Sequence, residues 1–490
     1  MCESTKLLES RSSALLSATV PLELLALCNT PQIGSLDAVF LKAVPLKPRI
    51  HLTAPYRYVP QVPQEIIDLI VDNIEDVPSF HACSLVCWAF VPSCRKRIFR
   101  DICFGMFSDA PKKLYEILLR SPSIALYIKD VTIHRPQEPN FWIEPGSPLP
   151  AVLSMLSHIN RFSLFGCWGD WLDIPPALAS AFMRVISLES LDRLHVLTVA
   201  NVPAAFLRHA LSVRIVSLFY VDLDPTEKLL HLPPPTRSSA YPEYLNLSLD
   251  SKVGRILESM QTSGSDYFSN VRGLAVNPIP NSISSAQNFT RVLSAVENTV
   301  ERLDIQWHEH YIAQLTCPRA SHLRHLRTLQ LHIIMQTPGH TLPQYLPSHL
   351  AKLQHSNPLL SSLTLHFHVP VASVIPVSSE SISSVSDSVS KSGLGIPSGG
   401  QIPHAADTAR LLRTLDGVLA GFSALQTLHM RVTPECSPPS VVPDYAAFLK
   451  ENLSAVGRKG ILSVKQGYRA RGAAVMPLLP YVEVWPHRKE

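Results

Sequence analysis

The chain is short of most groups that announce an activity. Its nine cysteines include no Cys-x-x-Cys pair. Cys83 and Cys87, four apart, would share one face of a helix, so reduced thiols are expected rather than a disulfide framework. Charged residues make up only 17% and the net charge of +4 is scattered, which leaves no electrostatic footprint for nucleic acid. No apolar run reaches the roughly 18 residues that a membrane helix requires. The stretch Ala14 to Cys28 faintly resembles a targeting segment, but Glu9 stands in front of it and Pro21 and Glu23 interrupt it. Residues 1–58 therefore read as a poorly ordered lead-in, and the expected location is cytoplasmic, nuclear or both, with neither membrane nor nucleic acid as partner.

Catalytic signatures are scarce as well. There is no Gly-x-Ser-x-Gly elbow and no paired-carboxylate constellation that can be placed in space. The segment GLGIPSGG (393–400) has the glycines of a phosphate loop, yet it follows no predicted strand and lacks a Gly-Lys-Ser/Thr ending. His308/His310 and His366/His368 alternate along strands or loops, but no His-Glu-x-x-His or Cys-x-x-Cys adds the further ligands that zinc requires. The expectation is a non-catalytic chain with no metal site and no cofactor, although triads are assembled by fold and not by sequence order.

What the chain has is apolar content, 46% of 490 residues, enough for one small module and one large domain or solenoid. Residues 62–104 carry the sharpest pattern. Pro63 suits a helix start, Glu65 follows, and Ile66, Ile67, Leu69, Ile70, Val71 and Ile74 recur at helical spacing. After a break at Asp76 to Ser79 comes a second run with Leu85, Val86 and Phe90, then the basic cluster Arg95, Lys96 and Arg97. The order Val62-Pro63-Gln64-Glu65-Ile66 and Val86-Cys87-Trp88-Ala89-Phe90 resembles an F-box, with Val62 for the usual Leu and Phe90 for the usual Trp.

That resemblance implies an address rather than a chemistry. Proteins with an F-box plug into the Skp adaptor of an SCF-type cullin-RING ubiquitin ligase and hold a substrate with the rest of the chain. It implies an F-box over 59–106, with Pro63, Glu65, Ile66, Ile67, Ile70, Leu85, Val86 and Phe90 as adaptor-binding residues. About forty residues make a core too small to stand alone, so completing burial against a partner is physically reasonable. The alternative is an ordinary helical hairpin of a larger domain.

From residue 111 onward a unit recurs: a helical run, a break, then apolar residues at i, i+3 and i+5. The triplets are Ile128/Val131/Ile133, Ile159/Phe162/Leu164, Leu194/Leu197/Val199, Val213/Val216/Leu218 and Tyr244/Leu247/Leu249. They continue as Val271/Leu274/Val276, Val300/Leu303/Ile305, Leu326/Leu329/Leu331, Leu360/Leu363/Leu365 and Leu425/Leu428/Met430. A single triplet arises by chance at about one position in ten. The spacing says more, because most steps between middle residues lie between 26 and 35. A helix–strand unit of that length buries its face by stacking on neighbours.

The pattern resembles an irregular leucine-rich repeat, and residues 121–133 and 157–171 look like the segments that follow the F-box in the large mushroom-type fungal families. Only Cys167 stands where a regular repeat carries Asn or Cys. Pro136, Val202 and Ile279 occupy three of the equivalent positions, so the turns must satisfy their backbone in other ways. The expected fold class is α/β: a small all-α F-box module, then an irregular leucine-rich-repeat-like α/β solenoid. The expected divisions are 107–369 for the array, 370–403 for a Ser-rich disordered insertion, and 404–490 for further repeats and a cap. A conventional α/β domain remains the alternative fold.

Function follows as a substrate-recognition subunit of a ubiquitin ligase, with a ligase-independent repeat scaffold for protein–protein interaction as the competing reading. Trp142, Trp168, Trp171 and Trp307 lie beside predicted strand ends and are the candidate target anchors, since Trp is enriched at binding hot spots. Filling the core is the alternative role for each of them.

Overall fold

In the computed structural model, residues 62–134, 146–224, 242–249, 267–308, 323–334, 344–370, 405–436 and 444–470 are described, with single positions and short stretches inside those ranges excepted, together with isolated positions between 250 and 266.

Three short helices come first. α1 (Gln64–Asp72) begins after Pro63, whose carbonyl accepts from the backbone N–H groups of Ile66 and Ile67. Glu65 in its first turn complements the positive end of the helix dipole. α2 (Val77–Val86) is capped by Asp76, whose carboxylate accepts from the Ser79 N–H at 2.8 Å. α3 (Val91–Ile98) carries Arg95, Lys96 and Arg97 in its last turn, where cations are favoured.

The three helices close around Val71, Phe80 and Cys94, with Ile74, Cys83 and Phe90 half-buried against them. A polar clasp joins α1 to α3. The Gln64 amide donates to Asp68 Oδ1 and to Ser93 Oγ, both at 3.0 Å, and Ser93 Oγ donates to Asp68. That hydroxyl is the main reason the Asp68 carboxyl sits below the usual range.

The remainder is one large parallel sheet. Its strands are β1 (Asp101–Phe104), β2 (Asp130–His134), β3 (Arg161–Phe165), β4 (Gly169–Asp170), β5 (Arg193–Val202), β6 (Ile215–Leu223) and β7 (Tyr244–Leu249). They continue as β8 (Gly273–Pro278), β9 (Arg302–His308), β10 (Thr328–Ile334), β11 (Ser362–Pro370), β12 (Thr427–Cys436), β13 (Leu462–Gln466) and β14 (Arg469–Ala470). Neighbours in the sheet are neighbours in the chain from β1 to β13, with the two-residue β4 and β14 pairing at the ends of β5 and β12. Every pairing among the described residues is parallel, so each connection crosses back over one face, commonly through a helix.

Register explains the apolar triplets. One row of mutually paired residues runs Val131, Phe162, Leu194, Val216, Leu245, Leu274, Leu303, Leu329, Leu363, Leu428. A second runs Ile133, Leu164, Val196, Leu218, Leu247, Val276, Ile305, Leu331, Leu365, Met430. All twenty of these side chains are buried in one continuous core.

Helices Ala110–Arg120, Leu149–Met155, Pro176–Ile186, Ala204–Ala210, Ile283–Ala295, Leu346–Ser356 and Ala405–Ala420 add their apolar stripes to that core through residues such as Leu114, Leu153, Phe182, Phe206, Phe289, Leu350 and Leu415. Predicted helix 253–260 falls largely outside the described residues, although Ile256 and Leu257 are buried in the core.

Eight of the ten triplets stand in this register and two are displaced. Leu194/Leu197/Val199 belongs three residues earlier, as Leu191/Leu194/Val196, and Tyr244/Leu247/Leu249 two residues earlier, ending on Leu245/Leu247. The cause in β5 is local backbone. Thr198 and Asn201 have positive φ, at 58° and 51°, and the pairing shifts register between Val199 and Val202. Left-handed residues interrupt the two-residue alternation on which the pattern rests. With register corrected, the paired residues Val216, Leu245, Leu274 and Leu303 lie 29 positions apart at each step.

Turn satisfaction also has a structural answer. Before most strands one carbonyl accepts two successive N–H groups from the next unit. Asp192 and Arg193 donate to Asn160, Glu243 and Tyr244 to Arg214, Arg272 and Gly273 to Glu243, and Glu301 and Arg302 to Arg272. Arg327 and Thr328 donate to Glu301, Ser361 and Ser362 to Arg327, and Gln426 and Thr427 to Ser361. This main-chain ladder does the work expected of an Asn side-chain ladder.

β1 was not expected. Asp101–Phe104 falls inside the segment read as a separate module, yet it pairs with β2 from Asp101↔Asp130 to Phe104↔Ile133. Phe99 is part of the large core, and Ile98 packs against both that core and the three-helix cluster. The described residues contain no helix long and apolar enough to cross a membrane.

Candidate functional site

Two surfaces gather chemistry that the core does not use. The first is on the N-terminal helices. Ile66, Leu69 and Ile70 project from α1 to the outside, each roughly half exposed, while Leu85 and Trp88 are 86% exposed and Val86 is 73% exposed at the end of α2 and just beyond it. Ile66, Leu69 and Ile70 sit at i, i+3 and i+4, one face of a helix. Large apolar groups clustered in the open in this way mark an interaction surface more often than chance exposure does.

The expected adaptor residues divide on this surface. Pro63, Glu65, Ile66, Ile70, Leu85 and Val86 are exposed, and Phe90 is half-buried against the helical core. Ile67 is the correction: it is 3% exposed. Facing inward between turns of α1, it supports the surface without forming part of it. Leu69 and Trp88, which motif matching did not single out, belong to the exposed set. Helical periodicity alone would have found Leu69, since it is three residues from Ile66 and one from Ile70.

Of the four tryptophans, only Trp171 has a described side chain. Trp142 and Trp168 lie outside the described residues, and Trp307 stands on β9 opposite Ile333. Trp171 is buried, with its ring 4.9 Å edge-on to Phe206 and 6.3 Å from Phe182. It is a core residue and not an exposed anchor. Asp170 beside it receives a hydrogen bond from the Asn201 amide, and that contact pins β4 to the left-handed end of β5.

The second surface is the sheet face opposite the apolar rows, where polar side chains alternate with them. One row reads Thr132, Ser163, His195, Ser217, Asn246, Ala275, Asp304, Gln330, Thr364, His429. The next includes Gln306, His332, His366 and Arg431 in register, and a third pairs His308, Ile334, His368 and Thr433.

Imidazoles converge between β10 and β11. The rings of His332 and His366 are 5.0 Å apart, those of His366 and His368 4.1 Å, and those of His332 and His368 6.0 Å. His332 and His366 are buried and His368 is half-buried. The Gln330 side-chain amide meets His332 Nε2 at 2.6 Å, and Asp304 Oδ1 lies 3.4 Å from the same nitrogen. His366 Nε2 bonds the Thr433 hydroxyl at 2.8 Å.

Burial pushes the His332 imidazole down to about 3 and that of His366 down to about 2, with His368 adding to both. It pushes the Asp304 carboxyl up to about 7. Each shift favours the neutral form, so at neutral pH the His332–Asp304 approach is no ordinary ion pair. Sequence spacing showed His366 and His368 but not His332, which is 34 residues earlier and reaches them only through the β10–β11 register.

No known family model matches the chain, and no curated protein matches it either.

Proposed function

We propose that the chain is the substrate-recognition subunit of an SCF-type cullin-RING ubiquitin ligase, with residues 59–106 acting as an F-box and the sheet region as an irregular repeat array that holds the target. The observation that carries this reading is the exposure of six large apolar side chains on the first helices, Ile66, Leu69 and Ile70 on one face of α1 and Leu85, Val86 and Trp88 at and just beyond the end of α2. They lie on a helical unit whose own core is small, centred on Val71, Phe80 and Cys94. Such a face reaches full burial only against a partner. Sequential, all-parallel strand order supports the repeat reading, since each unit then touches only its neighbours. In this account the chain performs no chemistry, works in the cytoplasm or nucleus, and brings a target to a ligase.

The second reading is a ligase-independent scaffold in which the three helices cap the array. Pairing of β1 with β2, and Ile98 touching both cores, favour it. A cap leaves the outward apolar face unexplained, because terminal caps of stacked repeats present polar surfaces. Recovery of the tagged chain from cells separates the two. The ligase reading expects the Skp adaptor and a cullin to come down with it, and the scaffold reading expects neither.

A further inference from the structure

The geometry points to a binding site for a divalent transition-metal ion, zinc by its chemistry, formed by His332, His366 and His368. One ring nitrogen from each of the three lies within 4.8 Å of the other two. Around a tetrahedral ion with metal–nitrogen bonds of about 2.0–2.1 Å, such nitrogens stand roughly 3.4 Å apart. The difference is at most about 1.4 Å for any pair, so side-chain rotation that shifts each ring nitrogen by less than an ångström would close it. Three imidazoles with a fourth position left over is a recurrent ligand set for zinc, and imidazole suits zinc, copper or nickel far better than magnesium or calcium.

The strands supply the positioning. His332 and His366 are paired across β10 and β11, and His368 is two residues further along the same face. Parallel pairing holds such neighbours about 4.8 Å apart, a separation that one ion can bridge. The surroundings resemble an outer ligand shell. A ligating histidine is generally oriented by a hydrogen bond at its other ring nitrogen, often to a carboxylate. Here Asp304 and Gln330 stand beside His332, and Thr433 stands beside His366.

Two further observations favour a polar guest. Gln306, more than nine-tenths buried, keeps Oε1 without a hydrogen bond among the described residues, and Asp304 Oδ1, equally buried, has only the 3.4 Å approach to His332 Nε2. Buried oxygens of this kind are costly unless something meets them. Arg431, in register with His366, opposes a cation, but it is exposed and its charge is screened by water. His368 is the half-buried member, so the ion would enter from its side. This inference is independent of any ligase role.

The test uses the full chain, stripped with a chelator and titrated with zinc against a chromophoric competitor. The expected result is about one tightly held zinc per chain and a melting temperature that rises with zinc, because a ligand specific to the folded state stabilises it. Cobalt in place of zinc should give a visible spectrum of nitrogen and oxygen ligation with no thiolate band, which separates this site from the nine cysteines. His368→Ala, chosen because the side chain is half-buried, should leave the metal-free melting temperature unchanged and weaken zinc by at least about tenfold, the lower figure for losing even an outer partner. Absence of zinc binding by the wild-type chain would overturn the site. So would a thiolate cobalt spectrum, or wild-type affinity in the His368→Ala chain.

Discussion

Arg214 grips Asp192 at two points, with Nε 2.6 Å from Oδ1 and Nη2 2.8 Å from Oδ2, and reaches Glu243 at 3.5 Å on its other side. These are the residues whose main chains form successive rungs of the turn ladder, so side chains repeat along the edge what the carbonyls do beneath them. Burial alone would raise the Asp192 carboxyl, but the Arg214 and Arg193 guanidiniums together outweigh it and hold the group below its usual range. Further along, Arg272, Glu301 and Arg327 continue the alternation of sign at the same rung.

Both partners are more than a third exposed, so the pair contributes modestly. Arg214→Met should lower the unfolding free energy by about 0.5–1 kcal/mol, and added salt should shrink the difference. Denaturant unfolding at low and high ionic strength measures it. A difference that is unchanged by salt would mean that packing, not charge, holds this edge.

Register makes a sharper claim. Leu194 is paired with Phe162 and Val216 in the buried row, whereas Leu197, three residues on, is only half-buried. Leu194→Ala should cost about 2–5 kcal/mol, as for other fully buried leucines, and Leu197→Ala well under half of whatever Leu194→Ala costs. Equal losses in chemical denaturation would contradict the register of β5.

That pair also shows what the sequence can and cannot disclose. The i, i+3, i+5 triplet reads correctly at Val271/Leu274/Val276 or Leu360/Leu363/Leu365 because strict two-residue alternation follows a buried turn residue. At Leu194 the same search slipped, since Thr198 and Asn201 take left-handed conformations that no apolar pattern marks. The exposed face of α1 was legible from helical spacing, while the inward turn of Ile67 was not, because Ile66 before it and Leu69, Ile70 and Val71 after it are apolar too and blur the stripe. His332 was beyond reach for a different reason: it joins His366 and His368 by strand pairing alone, and pairing is not written in local spacing.

His195 predicts a pH dependence. Burial, with Arg161 and Arg193 nearby, pushes its imidazole down to about 3. The unfolded chain takes up that proton near the ordinary value of about 6.5 and the folded chain does not, so stability from this group is full above pH 6.5 and falls as pH drops toward 3. Between pH 7 and pH 5 the loss should be about 2 kcal/mol. His195→Gln should flatten that limb of the stability–pH curve, and an unchanged slope would show that other groups set it.

The Ser-rich stretch supplies a fourth expectation. β11 ends at Pro370, the next described helix begins at Ala405, and β11 and β12 pair in register from Ser362↔Thr427 onward. Deleting residues 372–402 should leave the melting temperature nearly unchanged, since closure cost rises only slowly with loop length. A drop of many degrees would show that the stretch packs on the sheet.

The central claim is that the outward face of the first helices docks a Skp adaptor, and direct binding of the purified full chain to purified adaptor tests it. The variant of choice is Ile70→Ser, Leu85→Ser, Val86→Ser, because all three side chains are exposed and their change should leave the melting temperature where it is. The account predicts that the wild-type chain binds and that the variant binds at least about thirtyfold more weakly, the equivalent of roughly 2 kcal/mol at a hot spot. A wild-type chain that does not bind, or a folded variant that binds as well as wild type, would contradict it.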